Sequence, residues 1–204
     1  MSGAQPLRFE PTLPPEEVAR ANFYGLLARL FYAPPDAALL EAIAGADEIE
    51  AEDGDIAAAW RDLARAASAA DPAALREEYE SAFIGTGKAP VTLYTAAYSI
   101  KYSNEAPLAE LRGDLAAMGL GRRNEANEPE DHVAALFDVM RSLIAGQESA
   151  LETQRRFFGR WIWPVVEPLC SAIDTSPNTA SFYRAVARFT KCFLELEHSA
   201  FEML

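Results

Sequence analysis

Apolar residues in this chain recur at steps of three and four and nowhere alternate with polar ones over a strand-length run, so the pattern predicts helices throughout. After Pro14-Pro15, residues Phe23, Leu26, Leu27, Leu30 and Phe31 share one helix face, and Pro34-Pro35 stops that helix. Asp36 is placed to cap a short helix reaching about residue 44. The stretch 55–70 forms a helix around Ile56, Trp60 and Leu63, and Asp71-Pro72 then opens another that runs to Phe83. Residues 85–90 break the pattern, and the tyrosine-rich stretch to Asn104 has no assignable period. A further helix covers 106–118, followed by a polar loop over 119–128.

The next helix starts strongly. Pro129 suits its first position, Glu128, Glu130 and Asp131 complement its positive end, and Val133, Leu136, Phe137, Met140, Leu143 and Ile144 form its apolar stripe up to Gly146. Two long helices close the chain. The first, 148–173, is expected to kink at Pro164 and Pro168. In the second, 179–203, residues Phe182, Val186, Phe189, Phe193, Leu196, Ala200 and Met203 draw one seam along about 37 Å. The expectation is an all-α, single-domain helical bundle of about eight or more helices without β-sheet, spanning 1–204 with 1–13 flexible.

Composition narrows the class. No apolar run approaches the ~20 residues needed to cross a bilayer, and residues 1–17 have no apolar core of a signal peptide, so a cytoplasmic location is expected. Cys170 and Cys192 sit among apolar residues as reduced packing groups. With His132 and His198 they make no ligand-spaced pair, so neither a metal nor a cofactor of the protein's own is expected. A net charge of −13 disfavours nucleic acid and anionic lipid, and fits either a basic partner or simple solubility.

Three local motifs suggest chemistry. Gly85-Thr86-Gly87-Lys88 looks like a phosphate loop, but Ala82 and Ala89 stand where such a loop needs Gly and Ser or Thr, and a helix precedes it instead of a strand. Asp131 and His132 are adjacent on a predicted helix, about 100° apart, and do not face each other as a dyad. Arg122-Arg123 lies mid-chain with no apolar segment behind it, so it is no export signal. No nucleophile signature accompanies them, and the chain is not expected to be an enzyme. Between Tyr79 and Tyr102, aromatics recur at four-residue spacing: Tyr79 and Phe83, then Tyr94, Tyr98 and Tyr102. Such side chains either grip a peptide or pack with their hydroxyls at the surface.

Taken in order, these motifs resemble the TorD/DmsD/NarJ family of redox-enzyme maturation chaperones. One block is Glu78 to Gly87, similar to the family's tyrosine, Leu-Phe and Gly-Pro-Gly run, followed by Pro90 and by Tyr94 and Tyr98 where the family shows Tyr-x-Ser-x-Tyr. A second, Glu128-Pro129-Glu130-Asp131-His132, resembles its Glu-Pro-x-Asp-His signature. Phe157-Phe158, Trp161, Pro164, Phe182-Tyr183 and Phe193-Leu194 form a looser third. Ala82, Thr86 and Ala96 depart from the family's leucine, proline and serine.

The resemblance implies a cytoplasmic chaperone that binds the precursor of a molybdenum-containing oxidoreductase, often through its twin-arginine signal peptide. It would hold the precursor until molybdopterin guanine dinucleotide is inserted into it, and delay export until then. It implies a monomer or a domain-swapped dimer, and a peptide site at Tyr79, Phe83, Gly85, Gly87, Pro90, Tyr94, Tyr98, Glu128, Pro129, Asp131 and His132. In that site Glu128 and Asp131 would attract the two arginines while Tyr79, Phe83, Tyr94 and Tyr98 line a groove for the apolar part; Asp131 as a helix cap is the alternative. Two other functions stay open: a guanine-nucleotide-binding enzyme or switch using the 85–88 loop, and a helical subunit of a larger complex.

Overall fold

A computed structural model describes residues 13–49, 54–85, 89–99, 106–121, 129–146 and 151–204. Of the segment 1–13 expected to be flexible, all but Leu13 lies outside these residues. Helix α1 (Pro15–Tyr32) has proline in its first turn, Glu16 and Glu17 beside its positive end and Arg29 in its last turn. Asp36 caps α2 (Ala37–Ala44) by accepting the Leu39 N–H, and α3 (Gly54–Ser68) follows. Asp71 does the same at Ala74 for α4 (Pro72–Tyr79), which continues into a π-helical turn, Glu80–Ile84. A four-residue α5 (Ala96–Ser99) and α6 (Ala106–Ala117) lead to α7 (Val133–Ala145). Helix α8 (Leu151–Phe157) passes through a second π turn, Phe158–Ile162, into α9 (Trp163–Thr175), and α10 (Ser181–Glu202) closes the chain.

The described residues contain helices and one isolated β-bridge, with no sheet. Helix α1 lies along α7, and α10 packs between α3 and α9. Their inward faces meet in an aromatic core. Tyr24 and Phe23 set their rings edge-on to Phe193 at 5.0 and 5.4 Å, and Phe31 reaches both Phe83 and Phe137. No described helix is long and apolar enough to cross a membrane. Cys170 and Cys192 are free thiols, and burial pushes the Cys170 thiol up to about 12, where it is inert.

Three expectations are corrected. Helix α7 starts at Val133, not Pro129: His132 is extended, at φ −66° and ψ 131°, because its neighbours pair with another segment, so the helix cannot begin before it. The stretch expected as one long helix is α8, a π turn and α9 in succession. The π turn lets the Trp163 N–H reach the Phe158 carbonyl five residues back, so Pro164 enters the first turn of α9, where its missing N–H costs nothing. The α10 seam holds through Phe193 and then turns outward: Leu196 is 42% exposed and Met203 82%, with Ala200 also at the surface. Leu194, Glu197 and Phe201 are buried instead. A 3.5-residue repeat drifts by about 20° per heptad around a straight α-helix, so the late members of the seam rotate off the core.

Glu197 is the polar residue this rotation buries. The Arg20 guanidinium meets both its oxygens at 2.7 and 2.8 Å, and also Glu17 at 2.7 Å and Gln154 at 3.3 Å. The Tyr24 hydroxyl donates to the same carboxylate at 3.1 Å. Burial works against the Arg20 charge, but the hydrogen bonds and charge of Glu197, then of Glu17, outweigh it and raise its pKa. Burial, then the Glu197 charge, raises Tyr24 well above the ordinary phenol. The network ties α1, α8 and α10 at one end of the bundle. Glu197→Leu should therefore cost roughly 3 kcal/mol in urea denaturation by stranding the guanidinium, while Arg20→Met with Glu197→Leu recovers most of that loss. A single variant as stable as the parent would mean the pair holds nothing together.

Candidate functional site

The first motif block sits where three helix ends meet. Leu30 and Phe31 are in the last turn of α1, so their carbonyls have no partner within the helix. The Tyr79 hydroxyl donates to the Phe31 carbonyl at 3.0 Å, and the Tyr183 hydroxyl to that of Leu30 at 3.2 Å. The Tyr79 and Phe83 rings are 5.2 Å apart, and both pack on Tyr183. Tyr79 and Phe83 are 4% and 7% exposed, so both lie in the core and neither faces a groove. Glu78, between them and α10, stands in for a cap: Ala180 has no capping side chain, and the Glu78 carboxylate accepts its N–H at 2.7 Å and the Tyr183 N–H as well.

At the end of the π turn, the Gly85 N–H reaches the Glu80 carbonyl at 2.8 Å, and Gly85 adopts φ 61° with ψ 164°, a conformation that strains any residue with a side chain. Gly87, with Thr86 and Lys88 of the phosphate-like loop, lies outside the described residues, as does Glu128. The chain resumes close by. The Val91 N–H bonds the Ala82 carbonyl at 3.0 Å, and from there Val91, Leu93 and Thr95 point inward while Thr92 and Tyr94 point outward.

This short extended segment joins the two motif blocks. The Thr95 N–H donates to the Asp131 carbonyl and the Val133 N–H to the Leu93 carbonyl, each at 2.8 Å, and the Thr95 hydroxyl adds a third bond to Asp131 at 3.0 Å. Tyr94 is bridged antiparallel to His132, their rings edge-on at 5.4 Å. His132 is 5% exposed; its Nδ1 accepts the Ala134 N–H at 3.2 Å as the cap of α7, and its own N–H reaches the Pro129 carbonyl at 3.1 Å. Asp131 is 8% exposed, whereas Tyr94 is 38% exposed. Tyr98 is half-buried, its hydroxyl bonded to the Thr92 carbonyl at 2.8 Å, and burial pushes it up to about 12.

Two depressions flank the junction. The larger, of about 1030 Å³, runs between α1, α2 and α7 over Phe23, Leu26, Leu39 and Ile43, with His132 in its wall and Arg29, Tyr32, Asp138 and Arg141 around it. The smaller, of about 670 Å³, is lined by Gly85 and Pro90 with Glu77, Glu80 and Ile84. Thus His132 and the Gly85–Pro90 corner open onto different hollows. Among the described residues no group of three or more His, Cys, Asp or Glu is placed to hold a metal ion. Sequence reasoning had Glu78 and Glu130 in the motif blocks and Tyr94 in the site, but missed the capping role of Glu78, the pairing of the 91–95 segment and the Arg112–Glu130 pair; only the alternation over Val91-Thr92-Leu93-Tyr94-Thr95 offered a signal.

A family model described as "Nitrate reductase delta subunit" matches residues 49–171, more than half of the 204 residues. The chain is similar to the chaperone protein TorD of Aliivibrio salmonicida (strain LFI1238), with 30% identity over 137 aligned positions. That match covers 60% of this chain and spans 62% of the length of the relative.

The cap at α10 carries a pH signature. Burial raises the Glu78 carboxyl, against the two N–H bonds that lower it, so its folded pKa stands above the unfolded one. Its contribution to stability is then fullest below the ordinary glutamate range and is lost as pH rises through the raised value. Glu78→Gln, neutral and still an acceptor, should gain stability relative to the parent as pH rises from about 4 to about 7. A difference between the two proteins that stays flat or shrinks over that range, in denaturant melts, would contradict the assignment.

Proposed function

The chain belongs to the nitrate reductase delta subunit family, the TorD/DmsD/NarJ family its motifs resemble, and on that premise we propose that it is a non-catalytic, cytoplasmic chaperone for a molybdenum-containing oxidoreductase. It binds the precursor polypeptide, keeps it open for insertion of molybdopterin guanine dinucleotide, and delays export by covering a twin-arginine signal peptide. The cofactor belongs to the client.

The observation that carries this reading is the backbone clasp between 93–95 and 131–133, which joins the two motif blocks beside His132, a residue in the wall of the ~1030 Å³ groove. A signal peptide combines guanidinium groups with an apolar run, and its receptor must offer carboxylates beside an apolar trough. Here the turn that carries Glu130 and Asp131 leads into His132, which lines a groove floored by Phe23, Leu26, Leu39 and Ile43. Tyr94, exposed and edge-on to His132, contacts the peptide where the two meet. Tyr79, Phe83 and Gly85 serve by shaping the corner, Pro90 and Tyr98 by supporting the 91–95 segment, and Pro129 and Asp131 by forming the turn ahead of His132; Gly87 and Glu128 are carried as members of the two motif blocks.

Because His132 is both a cap and a wall of the groove, two substitutions separate its roles. His132→Ala should lose about 1 kcal/mol of stability through the cap, whereas His132→Asn, a strong N-cap, should melt close to the parent. Both should bind a twin-arginine precursor peptide more weakly by calorimetry, and Tyr94→Ala should do so without destabilising the fold. Unchanged affinity in both His132→Asn and Tyr94→Ala would remove the groove from the client path.

A further inference from the structure

We infer that Glu130 is a guanidinium seat for the client, held in the free protein by an arginine of the chain itself, Arg112. The inference rests on the chaperone reading above and deepens it. Arg112, on α6, presents Nε and Nη2 to the two oxygens of Glu130 at 3.1 and 3.0 Å, the forked geometry by which a guanidinium recognises a carboxylate. The two partners are unequal. The Glu130 side chain is 13% exposed, set into the turn between Pro129 and His132, while Arg112 is 53% exposed and arrives from outside. The neighbouring Asp131 also acts on Arg112 by its charge.

Such a contact is displaceable. An ion pair with an exposed arginine is weak and screened by salt. Arg112 need only change rotamer to leave, because α6 is fastened independently: Asp114 accepts from the Trp161 indole N–H at 2.8 Å and from Arg160 at 3.0 Å. Leu111 and Leu115 anchor the same helix in the core. An incoming arginine makes the same fork on a carboxylate already oriented to receive it. Arg112 thereby keeps the seat in shape and sets a threshold: a single positive charge without a planar fork does not displace it.

The test uses the full chain and two synthetic peptides, one with adjacent arginines ahead of a leucine-rich run and one with glutamines in their place. By calorimetry, Arg112→Gln should bind the arginine peptide about two- to fivefold more tightly, the range set by an exposed ion pair, and the glutamine peptide unchanged. Glu130→Gln should weaken the arginine peptide, and in that background Arg112→Gln should confer no gain. The seat is overturned if Arg112→Gln leaves arginine-peptide binding unaltered or weaker, if its gain survives in Glu130→Gln, or if the parent binds both peptides equally while still binding. A parent that binds neither peptide would instead overturn the chaperone reading, and the seat with it.

Discussion

Three hydrogen bonds between residues 93–95 and 131–133 decide how the middle of this chain is organised. They hold His132 extended, which sets the start of α7 at Val133 and hence the register of its inward face, Leu136, Phe137 and Met140, against α1. Buried backbone groups tolerate no loss of partner, so shifting this junction by one residue would strand a donor or an acceptor at each step and rotate α7 by about 100°. The Val91 bond to Ala82 extends the same constraint back to the π turn, and through it to α4. One short extended segment therefore governs the position of helices from both halves of the chain.

Elsewhere the bundle is closed by side chains that reach the ends of other helices. Tyr79 and Tyr183 take the last carbonyls of α1, Glu78 takes the first N–H groups of α10, and the Trp60 indole donates to the Asp47 carbonyl at 3.0 Å beyond α2. All but the last satisfy a group that a helix leaves bare. Glu78 and Tyr79 belong to the motif that points to the family, yet in the folded protein their visible work is to join helices. A motif residue can mark a site by building its frame as well as by touching what it binds.

What could be read from the residues alone follows from the range of the interaction. Asp36 and Asp71 are legible as caps because their partners lie three residues away, and the α10 seam is legible through Phe193 because it obeys a helical period. It fails at Leu196 because a 3.5-residue repeat drifts off a straight α-helix, and the residue that turns inward, Glu197, finds its partner in Arg20, 177 positions earlier, which no local pattern records. Pro129 imitates a helix start for the same reason: a proline after a glutamate suits that position, and only the pairing with Leu93 and Thr95 excludes it. Tyr79 and Phe83 share a face as their spacing requires, but spacing is silent on whether a face looks in or out. The all-helical class survives all of this, since it rests on the whole pattern and not on any one residue.

On the chaperone function proposed above, the net charge of −13 and the local geometry divide the task of choosing a partner. Overall charge attracts any basic polypeptide over about 8 Å, the screening length at physiological salt, and so favours encounter without selecting among basic chains. Selection has to come from contacts that differ between arginine and other cations, and between apolar and polar segments. The Arg112–Glu130 fork supplies the first kind, because only a planar guanidinium replaces it bond for bond. The floor of Phe23, Leu26, Leu39 and Ile43 supplies the second, with no charged group among them. Arg29 stands at that same groove, and its charge disfavours a segment that stays basic beyond its leading arginines, while Arg141 there is paired with Asp138. Under the proposed seat and groove, discrimination then depends on the order of the client's residues, cations first and apolar residues after, and not merely on its composition.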